Sequence, residues 1–309
     1  MTRARWLAVA PLVGLVLFTA VVLVRLGLTR VHVQADLNRL ASAVPLDIGS
    51  TSYLQVTPLY EGVAAGEGLA AGLGVSYLIR TDGATILLDM GNNPGRSPVS
   101  PLQENMEQLG VTLDDVDIVV ISHTHADHLG GEYWADAGTF SPAGDRQPAL
   151  GERPIYVPEP VAYPGSAPIL ADRPIAIAPG IATTGGLPYL YPFPAWLAIP
   201  EGREQALVIH VAGRGLVLVT GCGHMGLESL VAHAQAFFNE PVVGVIGGLH
   251  EGSATEQDLA PQIELLSQLD PVIVALSPHD SGPAALAALQ EAFPSAYKPI
   301  RVGEPLEVQ

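Results

Sequence analysis

Apolar and polar positions divide the chain into one long unbroken apolar run and a region of short alternating elements. The run is "WLAVAPLVGLVLFTAVVLV", residues 6–24, 19 residues without a charge. At 1.5 Å per residue a helix of that length spans about 28 Å, close to a bilayer core of about 30 Å. Pro11 and Gly14 are tolerated in a membrane helix. Residues 1–30 are therefore expected to form one uncleaved transmembrane anchor. A cleaved signal peptide is the competing reading, since "ASA" at 41–43 has the small-residue form of a cleavage site, but it lies 17 residues past the run. Arg3 and Arg5 precede the run and Arg25 and Arg30 follow it, a slight bias that leans toward an extracytoplasmic folded part.

Residues 31–52 carry weak patterning and read as a linker. From Tyr53 to Gln309 the pattern repeats strand, strand, helix, strand. "YLQVTP", "GVSYLIR" and "ATILLDMG" read as early strands, and "VDIVVIS" as a strand buried on both faces. "SPLQENMEQLG" reads as a helix, with Ser100 at the N-cap, Pro101 at the first helical position and Gly110 at its end. A second group follows: "EQALVIHV", "GLVLVTG", "PVVGVIGG" and "PVIVALS". In "GLESLVAHAQAFF", Leu227, Leu230, Val231, Ala234 and Phe238 share a helical face. "TEQD" is a capping-box pattern from Thr255 to Asp258, and "GPAALAALQEAF" is the last helix. Residues 140–200 are rich in Pro, Gly and Ala and read as a long irregular segment, with "PYLYPFPAW" at 188–196 as a pocket wall or a cover for the sheet edge. One large domain of two or four layers fits residues 53–309.

Composition narrows the function. The chain has 309 residues, 48% hydrophobic and 15% charged, which suits a folded core. Formal net charge is −17, and setting aside the four arginines of the first 30 residues leaves −21 for the remainder. So acidic a domain repels phosphate backbones, so nucleic acid is not an expected partner. Cys222 is the single cysteine, which excludes an intramolecular disulfide. It reads as a small core residue, since nothing around it supplies the basic environment of a reactive thiol.

The chemistry concentrates in "VVISHTHADHLGG", residues 119–131. In extended backbone, residues two apart point the same way, so His123 and His125 can share a cation while Asp127 and His128 face a second position. Imidazole with a carboxylate is the ligand set for zinc, or for iron and manganese. Three further histidines follow strands: His224 in "LVTGCGHMG", His250 in "GVIGGLHEG" and His279 in "VALSPHDSG". Strand-end loops are where α/β folds place function. His32, His210 and His233 lie off this pattern and read as structural or surface residues.

"HTHADH" resembles the His-x-His-x-Asp-His signature of the metallo-β-lactamase superfamily. "TILLDMG" resembles that family's first motif, and the resemblance makes Asp89 the acid that holds the ligand loop. "TGCGHMG" and "SPHDSG" resemble its third and last motifs, with His224 and His279 as ligands. Most dinuclear members carry an aspartate between those two motifs, whereas "PVVGVIGGLH" offers His250. "TGCGHMG", "IGGLH", "PHDSG" and "APGIATTGGLP" together resemble the branch of the dihydropterin ribofuranosyl-aminobenzene 5′-phosphate synthases. The resemblance implies a four-layer αββα sandwich with metals at one edge of its two sheets.

It also implies one or two divalent metals, zinc first and iron or manganese as alternatives. His123, His125 and His224 would hold one, and Asp127, His128 and His279 the other. Zinc lowers the pKa of water from 15.7 to about 7, which suits hydrolysis of a small organic molecule. Asp127 is a general-base candidate when one metal binds, and His250 is a ligand, a proton donor or an anion contact. Ser281 is expected to cap a helix beginning near Gly282, whose free N–H groups suit an anionic substrate group. Alternatives are an iron-dependent oxidoreductase of the same fold, a dihydropterin phosphate synthase-like activity, and a membrane-tethered binding module. The sequence leaves the oligomeric state open.

Overall fold

The computed structural model describes residues 3–41, 45–191, 201–252 and 254–309. Helix α1 (Arg3–Ala41) holds the apolar run. Its Leu15–Asp36 portion is long and apolar enough to cross a membrane by length and composition, a property shared with signal sequences. Four successive side chains, Leu15, Val16, Leu17 and Phe18, are each 56–61% exposed. They therefore point in every direction round the helix, unlike the single buried stripe of a surface helix.

The expected linker over 31–52 is corrected. Helix continues to Ala41, since no proline or glycine interrupts residues 28–41. Thr29 is buried, and Asp36 pairs with Arg203. Residues 46–51 are tied into the domain: Leu46 N–H donates to Phe237 O at 2.7 Å, Gly180 N–H to Ile48 O at 2.6 Å, and Thr51 N–H to His210 O at 2.9 Å. Part of "ASA" at 41–43 lies outside the described residues.

Two sheets form the centre. In spatial order the first contains β15 (Leu306–Val308), β1 (Leu54–Tyr60), β2 (Ser76–Arg80), β3 (Thr85–Leu88), β4 (Ile118–Val120), β5 (Ile155–Val157) and β6 (Ile169–Leu170). The second runs β14 (Ile273–Leu276), β13 (Val242–Gly247), β12 (Gly215–Val219), β11 (Leu207–Val211), β8 (Ile181–Thr183) and β7 (Ile175–Ala178). Strands β3 to β6 pair in parallel, as do β12 to β14. A separate hairpin joins β9 (Leu187–Leu190) to β10 (Glu201–Glu204). Residues 140–191 are thus not one irregular segment. Their short strands close the outer edges of both sheets, and their Pro and Gly content sets turns between them.

Alternation along each strand explains the layers. Ile79, Ile86, Leu88, Ile118 and Val120 meet Leu207, Ile209, Val217 and Val219 between the sheets. Their neighbours Leu78, Leu87 and Val119 turn outward to Leu102 and Met106 of helix α2 (Pro101–Gln108). On the far side Val208, Leu216, Leu218 and Val274 meet Leu230, Leu259, Leu266 and Leu289. Those last four belong to α5 (Leu227–Phe238), α6 (Glu256–Leu269) and α7 (Pro283–Ala292). Helix, sheet, sheet, helix is the four-layer order expected. Both faces of the central strands are covered, which is why they read as continuous apolar runs. Each buried Val, Leu or Ile contributes about 1.5–3 kcal/mol, so Leu87→Ala is expected to cost about 2–5 kcal/mol.

Helix starts follow the expected chemistry. Ser100 Oγ accepts from Gln103 N at 3.1 Å, and Thr255 and Asp258 form a reciprocal capping box. Short helices α3 (Ala126–Leu129) and α4 (Glu132–Asp136) complete the first sheet's outer side. The loops after β1, β3, β4, β12, β13 and β14 meet along one edge of the sandwich.

Candidate metal centre

Asp89 follows β3 in the left-handed region, φ 59°, and is fully buried. Its carboxylate accepts from Ser122 N at 2.6 Å, Ser122 Oγ at 2.5 Å and His128 Nδ1 at 2.7 Å. One acid therefore fixes both ends of the "SHTHADH" loop. Burial alone opposes charge on the His128 ring, but the Asp89 carboxylate outweighs it and pushes the pKa up to about 9.

The partners of each Nδ1 decide where the imidazole lone pairs point. Ser122 gives its hydroxyl proton to Asp89, so its oxygen accepts from His123 Nδ1 at 2.9 Å. His128 Nδ1 donates to Asp89, and His224 Nδ1 to Glu204 Oε2 at 2.8 Å. All three rings thus turn Nε2 to the centre. His123 Nε2 lies 3.0 Å from His125 Nδ1, and His128 Nε2 lies 3.1 Å from Cys222 Sγ. Burial first, then the neighbouring rings, hold His123 well below its ordinary pKa and lower His125 to about 4. Neutral imidazole is the form that binds a cation.

The donor atoms of His123, His125 and His224 lie within 4.8 Å of one another, and so do those of Asp127, His128 and His279. A single ion with bonds of about 2.0–2.1 Å gathers donors on that scale, and outer carboxylates orienting imidazole ligands are the usual support. The donor set therefore fits a divalent metal at this edge. His279 differs from the other rings. Its Nδ1 accepts from Gly74 N at 2.7 Å, which places its proton on Nε2, 3.2 Å from Asp127 Oδ2. Although burial opposes ionisation, that bond and the neighbouring rings hold Asp127 well below the usual carboxylate range.

His250 reaches the same place from the loop after β13. Its backbone is left-handed, φ 59°, its N–H donates to Asp280 Oδ2 at 2.9 Å, and its ring lies 4.6 Å from His224. His125, Asp127, Cys222, His224, His250, His279 and Asp280 line a cavity of about 340 Å³. Among the described residues, a larger groove of about 460 Å³ beside α2 holds no comparable cluster of donors. His210 instead bonds Gly49 O, and buried His233 bonds Thr184 O.

The helix cap expected at Ser281 is corrected. Gly282, not Ser281, caps α7. The Ser281 hydroxyl donates to Asp280 Oδ1 at 3.0 Å, and Gly282 N–H is taken by Glu251 O at 3.2 Å. Both groups are already used, and the nearest side chain is a carboxylate.

Other residues escaped the sequence reading. Glu204, fully buried, accepts from the N–H groups of Cys222, Gly223 and His224 at 2.8–2.9 Å, as well as from the His224 ring. Glu61 accepts from Tyr77 Oη at 2.7 Å, from Ser277, and from His279 N–H at 3.2 Å. Tyr191 and Tyr189 place their hydroxyls 3.2 and 3.4 Å from His125 Nε2. Phe193 and Trp196 of the same aromatic stretch lie outside the described residues. Cys222 is buried as expected, yet it sits among the histidines rather than in an apolar core. Burial, then Asp280 and the other carboxylates, push its thiol well above the ordinary range. Glu204 stands between Arg203 and Gln205, so its neighbours in sequence gave no sign of its burial.

A two-sheet sandwich with histidine-rich loops at one edge defines a class, the metallo-β-lactamase fold. Residues 69–146, which span Asp89 and "HTHADH", match the metallo-beta-lactamase superfamily model. The match covers those residues alone, and the fold is the one shared with the solved structures described below. Among curated relatives, the transcription termination factor FttA of Cenarchaeum symbiosum is 43% identical over 53 residues, covering 17% of this chain and 8% of the relative. The N-acyl homoserine lactonase AiiB of Agrobacterium fabrum is 36% identical over 74 residues, 18% of this chain and 27% of the lactonase. The chain thus matches less than a third of either relative's length. Among solved structures, Tm1679, a metal-dependent hydrolase of the beta-lactamase superfamily, gives a TM-score of 0.58 at 18% identity, covering 83% of this chain and 99% of that one. YhfI from Bacillus subtilis gives 0.51 at 16% identity, covering 83% and 100%.

Proposed function

We propose that this protein is a metal-dependent hydrolase of a small organic molecule, with its site at the shared edge of the two sheets. One observation carries the proposal: His123, His128 and His224, each with Nδ1 bound to an acceptor, turn Nε2 toward one cluster of donors beside Asp127. A divalent metal at His123, His125 and His224 would supply Lewis acidity and a lowered water pKa. The chain's own groups do the rest. His279 holds Asp127 in place, Asp127 orients or receives a proton, and His250 offers a ring nitrogen at the cavity wall for a leaving group. Among the described residues, the cavity lining includes Asp127 and Asp280 and neither Arg nor Lys. A neutral reacting group, such as an ester or lactone, suits it better than an anionic one, and the short match to a lactonase supports that choice. The loops "TGCGHMG", "GGLH" and "PHDSG" share one cavity, which supports the branch resemblance without carrying over the pterin substrate.

The same proposal takes α1 as a single membrane span with the catalytic part outside. Support comes from its apolar circumference and its length. A test would purify the full chain in detergent and screen lactones, esters and phosphodiesters at defined metal content. Metal-dependent hydrolysis lost in His123→Ala and Asp127→Asn is the expected result. No turnover across the panel by metal-loaded protein would count against a hydrolase.

A further inference from the structure

Cys222 lies between the two donor triads. Its Sγ is 3.1 Å from His128 Nε2 and 3.7 Å from His279 Nε2. It also forms one donor group with His123 and His128 and another with His224 and His250. The backbone is built to hold it there. A Cβ on Gly221 would lie 2.2 Å from Ser122 Oγ. Gly223, at φ 67°, would bring one to 2.4 Å from Gly248 O. The Cys222 N–H is anchored on Glu204 at 2.9 Å. Gly221 thus lets the chain approach the loop that carries "HTHADH", and Gly223 the loop after β13, closely enough for the thiol to enter the donor cluster.

His128 makes the sulfur's neighbour informative. Its Nδ1 proton is committed to Asp89, so Nε2 is the nitrogen that faces sulfur. His279, by contrast, turns a proton toward Asp127 and is a poor nitrogen donor in this arrangement. The second position thus has one good nitrogen, one carboxylate and, within reach of both rings, one sulfur.

Resting on the metal-centre reading above, we propose that Cys222 is a thiolate ligand to the metal held by His128 and Asp127. On binding, the S–H bond breaks, a sulfur–metal bond forms, and the proton leaves to solvent through the cavity. A thiolate makes this position selective for borderline-soft ions such as zinc, iron(II) or cobalt(II) over magnesium or calcium.

The test uses full-length protein in detergent, stripped with a chelator and titrated with cobalt(II). Visible cobalt bands together with a near-ultraviolet sulfur-to-cobalt charge-transfer band are expected. Cys222 is the chain's single cysteine, so no other thiol can give that band. Cys222→Ser should abolish the band, keep the visible absorption from His123, His125 and His224, and weaken the second cobalt by more than about 10–100-fold, the cost of losing a mere supporting group. Visible bands without charge transfer in the unaltered protein would overturn the thiolate and leave the metal centre standing. Charge transfer that persists in Cys222→Ser would also overturn it. No cobalt bands at all would overturn both. Should Cys222→Ser fail to fold, the unaltered protein's own spectrum decides.

Discussion

The two donor triads differ in what stands behind them. His123 and His224 are held by Ser122 and Glu204, acceptors that bind Nδ1–H and turn Nε2 to the centre. In the second triad only His128 is held this way, through Asp89, while His279 accepts a backbone N–H and keeps its proton on the inner nitrogen. A histidine's position therefore does not make it a ligand. The partner of its other nitrogen does.

Glu204 is the sharpest place to break the comparison, because the first triad depends on it most. Glu204→Ala strands three buried N–H groups and the His224 ring. It should cost about 3–5 kcal/mol in denaturant unfolding and weaken the first metal by about 10–100-fold in a chelator competition. If Glu204→Ala matched the unaltered protein in both measurements, the supporting role assigned to this acid would be wrong. Next in size, His224→Ala should remove one metal position, with an affinity loss beyond that range, while His279→Ala should cost visibly less. Equal losses at the two histidines would erase the distinction between the triads.

Proton release gives a finer probe. The pKa of His128 is raised from 6.5 to about 9 without metal, so near neutral pH its ring is protonated. A metal at Nε2 must displace that proton, and calorimetry in buffers of different ionisation enthalpy should count its release. The release should shrink as pH rises through about 9 and in Asp89→Asn. The sign for stability follows: the raised pKa stabilises the metal-free fold fully below 6.5, and that contribution fades as pH passes about 9. Smallest of all, Ser281→Ala should change stability by less than about 0.5 kcal/mol, since its hydroxyl reaches only Asp280. A large loss of substrate affinity there would restore the anion contact.

Much of this was legible in the sequence, and the limits have physical causes. Strands such as "VDIVVIS" and "GLVLVTG" announced themselves because both faces are buried, and Ser100 and Thr255 announced helix starts because orphan N–H groups need acceptors. The histidines were visible because each follows a strand. Glu204 and Glu61 were hidden, since a buried acid looks like a surface one until its donors, distant in sequence, arrive. Cys222 was misjudged for the same reason: "TGCG" shows a small buried residue, but not that His128 lies 94 positions earlier and 3.1 Å away. Residues 31–41 carried no pattern because helix there continues from α1 rather than from its own amphipathic face.

Metal content of the full-length protein tests the central claim most directly. Elemental analysis after purification in zinc-supplemented, chelator-free buffer should find at least one zinc, iron or manganese ion per chain, and His123→Ala with His224→Ala should lose it. A folded protein that holds less than one ion per chain, or that keeps its metal without those two histidines, would contradict the account.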